Sequence, residues 1–286
     1  MKMLKLKIIP ILIFTFLMPT ISSLALNDTR SQVVDYMRKM ATVEWASMED
    51  MEYWNPKYGV MFKKDNIYKG IPYTQKQRNT DYELFLSNLE NKDGVDYYKR
   101  STGSSEYLGS DCSSAVSMAW NKVGGNFPIL STGDMIPFGY NQTLPVGSYK
   151  IDTYFSTTTK DIVNENGKEV MFSAYSKLQP ADAVLIRNTN SGHVMMVSDV
   201  DHENNKVYII DQTGANDTPT IMLAGNNGES TWRVDKEFTY DELLSKGCVP
   251  ITIDALLASD KDTTSDKDAT TDKDLNIPEQ TLNKAV

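Results

Sequence analysis

Apolar positions along the chain change their period from segment to segment. Between about residues 27 and 51, Val34, Met37, Ala41 and Trp45 recur three to four positions apart, as one helical face does, with Asp28 and Thr29 as caps. From Met51 to Gly70 the residues are rich in Trp, Tyr, Asn, Pro and Lys without a period, which suits a segment covering a domain or lining a groove. Gly70-Ile71-Pro72-Tyr73 reads as a turn, residues up to Leu89 have some helical character, and a polar loop then runs to Ser110. After Cys112 the apolar residues Ala115, Val116, Ala119, Trp120 and Val123 fall at helical spacing until Gly124-Gly125 ends it. Residues 126–170, with many Gly, Pro, Ser and Thr, predict an extended excursion with one or two short helices.

Beyond that excursion the pattern is that of strands. Asp182–Arg187, His193–Val200 and Val207–Asp211 are apolar runs separated by Asn-, Gly- and Asp-rich gaps, the signature of an antiparallel meander. Thr220–Leu223 and Trp232–Phe238 are candidate further strands, Tyr240–Lys246 a helical turn, and Val249–Ile253 a last strand. One helix packed against such an antiparallel sheet makes an α+β domain over residues 65–258, preceded by an N-terminal helical extension over 26–64. From Ser259 to Asp274 a Ser/Thr-Asp-Lys-Asp hexad repeats nearly three times without apolar residues large enough to bury surface, which predicts a disordered acidic tail over 259–286. Its interleaved lysines argue against calcium binding by its aspartates.

The amino terminus changes the setting. Lys2, Lys5 and Lys7 precede an apolar run from Ile8 to about Met18, and small residues reach Ser23-Leu24-Ala25. This is the layout of a secretory signal peptide over residues 1–25; the run is short for a membrane span, so export without stable membrane insertion is expected. The formal net charge of −9 argues against nucleic acid as a partner, since its backbone would repel the chain. Export would also permit a disulfide between the only two cysteines, Cys112 and Cys248.

Those two cysteines and two histidines confine any Cys–His chemistry to few pairings. Cys112 sits where a helix begins, and there the exposed N–H groups and the dipole favour the nucleophilic thiolate. His193 stands at the mouth of an apolar strand, whereas His202 lies in the polar turn Asp201-His202-Glu203-Asn204 and Cys248 has no polar partner nearby. Cys112 as nucleophile with His193 as base is therefore the pair of choice. A third group should orient the imidazole. Asp211 is favoured and Gln212 is its rival, because adjacent strand residues face opposite sides and the register is open. Ser113 and Ser114 are weaker nucleophile candidates. The Cys and His residues lack the short ligand spacing of a zinc site, so neither metal nor cofactor is expected.

Together these residues resemble a family. Asp111-Cys112-Ser113-Ser114-Ala115-Val116 resembles the Asp-Cys-Ser-Gly helix start of the NlpC/P60 cell-wall peptidases. Leu178-Gln179-Pro180-Ala181-Asp182 is similar to that family's Leu-x-Pro-Gly-Asp strand entry, and Ser191-Gly192-His193-Val194 to its histidine strand. Gly70-Ile71-Pro72-Tyr73 is similar to its Gly-x-Pro-Tyr element. The resemblance covers roughly residues 68–215. It implies a papain-like fold and hydrolysis of amide bonds in bacterial peptidoglycan stem peptides, in many members the bond from D-γ-glutamate to a diamino acid. It also implies that Tyr73 lies beside the site, with Tyr107 as competitor, and that Asp111 and Ser113 bind the polar end of the stem peptide, its free amine. Ser114 and Ala181 depart from glycines of the pattern, and the third catalytic position, commonly His, is here Asp or Gln. Two other readings stand beside this one: a CHAP-type amidase, and an inactive domain of the same fold that binds wall peptide or a protein.

Overall fold

The computed structural model describes residues 28–52, 55, 60–138, 142–151, 157–213 and 231–260. The expected signal peptide, the tail from 261 onward and the candidate strand Thr220–Leu223 lie outside the described residues.

Helix α1 (Asp28–Thr42) buries Val33, Val34, Met37, Met40 and Ala41 along one face. It ends well before Met51. The Thr42 hydroxyl donates back to the Arg38 carbonyl at 2.7 Å, and β-branched Val43 leads into β1 (Glu44–Ser47). Trp45 keeps the apolar spacing of α1 but is buried from a strand. Its indole N–H donates to the Gly70 carbonyl at 3.0 Å. Phe62, Tyr68, Phe85 and Tyr98 surround it at ring-centroid distances of 5.0–5.7 Å. A spacing of four residues cannot by itself distinguish these two ways into a core.

Strands β2 (Met51–Glu52) and β3 (Val60–Phe62) form a small antiparallel pair. A four-stranded sheet joins β4 (Ile67–Lys69), β1, β6 (Val95–Tyr98) and β5 (Leu89–Lys92) in that order. Its strands come from both sides of residue 65. The hairpin β5–β6 occupies part of the expected loop. Asp93 and Gly94 turn it with φ of 53° and 84°, the two left-handed residues of a type I′ turn. Helical character between 70 and 89 is confined to α2 (Tyr82–Ser87), capped by Asp81.

The main sheet has six strands in the order β11 (Trp232–Thr239), β10 (Lys206–Gln212), β9 (Gly192–Asp201), β8 (Ala183–Arg187), β12 (Val249–Ile253) and β7 (Thr143–Pro145). All its pairings are antiparallel, including the expected meander β8–β9–β10. The protein is thus mixed α+β with a helix on an antiparallel sheet. Helix α3 (Cys112–Gly124) packs on β9, β10 and α1. Helix α4 (Thr159–Tyr175) packs on β8, β12 and α5 (Tyr240–Lys246). Its span begins within the excursion at a Thr158/Asp161 capping box and consists of two short helical stretches that meet at Gly167, where φ is 74° and ψ 172°.

Two side chains seat α3 and α1 against the start of β8. The Trp120 indole donates to the Ala181 carbonyl at 2.8 Å, and Arg30 donates to Pro180 O and Asp182 at 2.7 and 3.1 Å. Ala181 has φ of 74°, a conformation that costs a non-glycine residue about 1–2 kcal/mol. A glycine would take up that backbone without the cost. No helix among the described residues is long and apolar enough to cross a membrane.

Candidate active site

The approach to α3 is built by pairing. Ser110 N–H donates to the Pro72 carbonyl at 3.0 Å, and Thr74 N–H donates to the Ser110 carbonyl at 2.9 Å. Gly109 makes this approach possible, because a Cβ there would lie 2.2 Å from the Pro72 oxygen. Tyr107 is buried beneath and donates its hydroxyl to the Tyr73 carbonyl at 2.8 Å. Tyr73 lines the cleft and Tyr107 does not, which separates the two tyrosines that compete on sequence.

Asp111 is the N-cap of α3. Its Oδ1 accepts from Ser114 N–H at 2.7 Å and from the Ser113 hydroxyl at 3.0 Å, and Ser114 completes the capping box. Its Oδ2 accepts from Arg78 at 2.9 Å, and the same Arg78 nitrogen donates to Ser113 at 3.0 Å. Cys112 is the first residue of the helix, 7% exposed. At that position a backbone N–H has no carbonyl partner within the helix.

His193 projects from β9 between Cys112 and Asp211. Its Nε2 bonds to Asp211 Oδ2, so Nδ1 is the nitrogen left for the neighbouring Cys112 sulfur, whose charge acts on the ring. Burial works to lower the pKa of the imidazole. The Cys112 charge and the hydrogen bond the ring donates to Asp211 outweigh it and raise the value from 6.5 to about 10. Asp211 is fully buried on β10. Burial opposes its ionisation, yet hydrogen bonds from Arg233 and His193 hold its pKa below the usual carboxylate range.

Arg233 was not legible as a site residue. It lies opposite Asp211 on β11, donating Nε to Oδ1 at 2.8 Å and Nη2 to Oδ2. Only the sheet register brings it there; nothing in its local sequence marks it. Gln212 points away from the histidine. Its Oε1 accepts from Ser110 at 2.6 Å, and its Nε2 donates to the Ile71 carbonyl at 2.8 Å. It therefore joins β10 to the segments leading into the cysteine, while Asp211 meets the imidazole.

Cys112 and Ser113 line an open cleft of about 410 Å³. Tyr73, Gln75 and Arg78 line it from the segment before α2, and Ser131, Thr132 and Gly133 from the loop after α3. Arg187, Asn190, Ser191 and Gly192 complete it from the β8–β9 turn. Gly192 is needed here too, since a Cβ would lie 2.2 Å from the Thr132 hydroxyl.

Comparison with known proteins finds no matching family model, no matching curated protein and no matching solved structure. What the site can do is therefore read from its own geometry. The other cysteine and histidine stand apart from it. Cys248 and Cys112 are both free, and His202 bonds through both ring nitrogens, to the Tyr240 hydroxyl and the Leu178 carbonyl. Among the described residues no group of three or more His, Cys, Asp or Glu side chains is placed to hold a metal ion.

Proposed function

We propose that this chain is an exported cysteine peptidase of papain-like, NlpC/P60-like type, hydrolysing amide bonds in bacterial peptidoglycan stem peptides. The observation that carries the reading is Cys112 lining an open cleft, with His193 beside its sulfur and the buried Asp211 bonded to the far side of the imidazole. The cell-wall substrate rests on the motif resemblance, and the location outside the membrane rests on the amino-terminal pattern.

In this reaction the Cys112 sulfur, paired with protonated His193, attacks the carbonyl carbon of the scissile amide, and the carbonyl electrons move onto oxygen. The backbone N–H of Cys112 is placed to receive that oxyanion. As the C–N bond breaks, His193 gives its proton to the departing amine and a thioester remains on Cys112. A water molecule then adds to the thioester while His193 takes its proton. The acid leaves, and the sulfur returns as thiolate beside the imidazolium. Asp211, held by Arg233, keeps the ring oriented and its charge compensated throughout.

The test is incubation with purified stem peptides of several peptidoglycan chemistries, with fragments identified by mass. Cleavage within the peptide is the expected outcome. Intact peptides in every case would refute the peptidase assignment and leave the binding-domain reading.

A further inference from the structure

The chain carries a net charge of −9, and its arginines are nearly all matched to acids. Arg30 pairs with Asp182 and Asp260, Arg38 with Asp235, Arg78 with Asp111, Arg100 with Glu49, and Arg233 with Asp211. Among the described residues only one arginine, Arg187, has no carboxylate partner, and it lines the cleft that holds Cys112. Its Nη1 donates to the backbone carbonyls of Asn188 and Ser191, which fixes the guanidinium against the β8–β9 turn. Those bonds engage one nitrogen of the fork. Gly133, on the facing loop, leaves space beside another, since a Cβ there would sit 3.4 Å from Arg187 Nε.

The ionic balance of the cleft points the same way. Its charged lining residues are Arg78, Asp111 and Arg187. Arg78 and Asp111 compensate one another at 2.9 Å, so the cleft carries one uncompensated positive charge inside an acidic protein. We infer that Arg187 seats a carboxylate of the substrate peptide, making it the residue by which the cleft selects acidic peptides over their neutral counterparts. A planar fork held by backbone carbonyls is preorganised for a carboxylate, and the hydroxyl of Thr132 on the facing loop can add a further donor, whereas that of Ser131 is given to Asp134 at 2.6 Å. This deepens the peptidase reading and rests on it.

The experiment compares an L-alanyl-γ-D-glutamyl-diamino acid peptide bearing free carboxylates with the same peptide amidated at those groups. The wild type should favour the acid form by roughly 10- to 100-fold in kcat/KM, mostly through KM, as expected for a charge-assisted pair. Arg187→Gln should remove the preference by slowing the acid form alone, and Arg187→Lys should keep part of it. The amidated peptide reports whether the turn carrying His193 is intact, because loosening that turn would slow both forms. Equal cleavage of both forms by the wild type, or an equal loss on both in Arg187→Gln, would overturn the inference and leave the peptidase reading standing. If neither form is cut, that reading falls, and calorimetric binding to Cys112→Ser decides the inference. Tighter binding of the acid form, abolished by adding Arg187→Gln, supports the carboxylate site. Equal or absent binding rejects it.

Discussion

The chain contains the same two side chains twice, in opposite conditions. Cys112 and His193 meet at a helix start beside an open cleft, and a buried carboxylate stands behind the imidazole. Cys248 is fully buried just before β12, where burial pushes its thiol up to about 12, and His202 is occupied by Tyr240 and Leu178. On the proposed reading, the difference in reactivity follows from surroundings. A thiol without a cation or a base remains a small apolar side chain, and a histidine with both nitrogens engaged is a structural bracket.

The largest test of this contrast is substitution in both pairs. Cys112→Ser and His193→Ala should each abolish stem-peptide cleavage, while Cys248→Ser should leave kcat/KM near the wild-type value. Iodoacetamide near pH 6 should modify Cys112 selectively in the native protein, and the His193→Ala substitution should remove that selectivity. Equal, slow labelling of both thiols would erase the distinction between the two cysteines.

Next in size is the support behind His193. Asp211→Ala should lower kcat by roughly 10²–10⁴-fold, because the imidazole loses both its orientation and its compensating charge. Arg233→Gln should cost about 10-fold, since it loosens Asp211 without removing it. Steady-state kinetics of the two variants give the ranking, and a greater loss for Arg233→Gln would show that the arginine acts on the substrate directly.

The smallest effect is on stability. An unfolded imidazole titrates near 6.5, and the folded His193 near 10, so the folded state binds the proton more tightly between those values. The stabilisation is complete below about pH 6.5 and is lost as pH rises towards 10. Thermal unfolding of the wild type should weaken over that window, and His193→Ala should show a flatter alkaline arm. Parallel curves would mean that the neutral imidazole is the folded form.

Much of the site's chemistry was legible. The polar turn before an apolar helical period located Cys112, and the alternating runs with Asn- and Gly-rich gaps gave the meander that carries His193 and Asp211. Other parts were present in the sequence but easily passed over. Asp93-Gly94 between short strands is a hairpin signal, and Thr158-x-x-Asp161 marks the start of α4. Trp45 shows the opposite error, an apolar residue at helical spacing that is buried by a strand instead.

The sequence alone determined which side chains were chemically capable of forming a nucleophile and base, because composition left so few and local patterns set each at the end of an element. Tertiary structure decided between Asp211 and Gln212, between Tyr73 and Tyr107, and brought Arg78, Arg187 and Arg233 to the site. Strand register and the close passage of distant segments fix those choices. Both depend on contacts between residues far apart in the chain, to which no local period is sensitive.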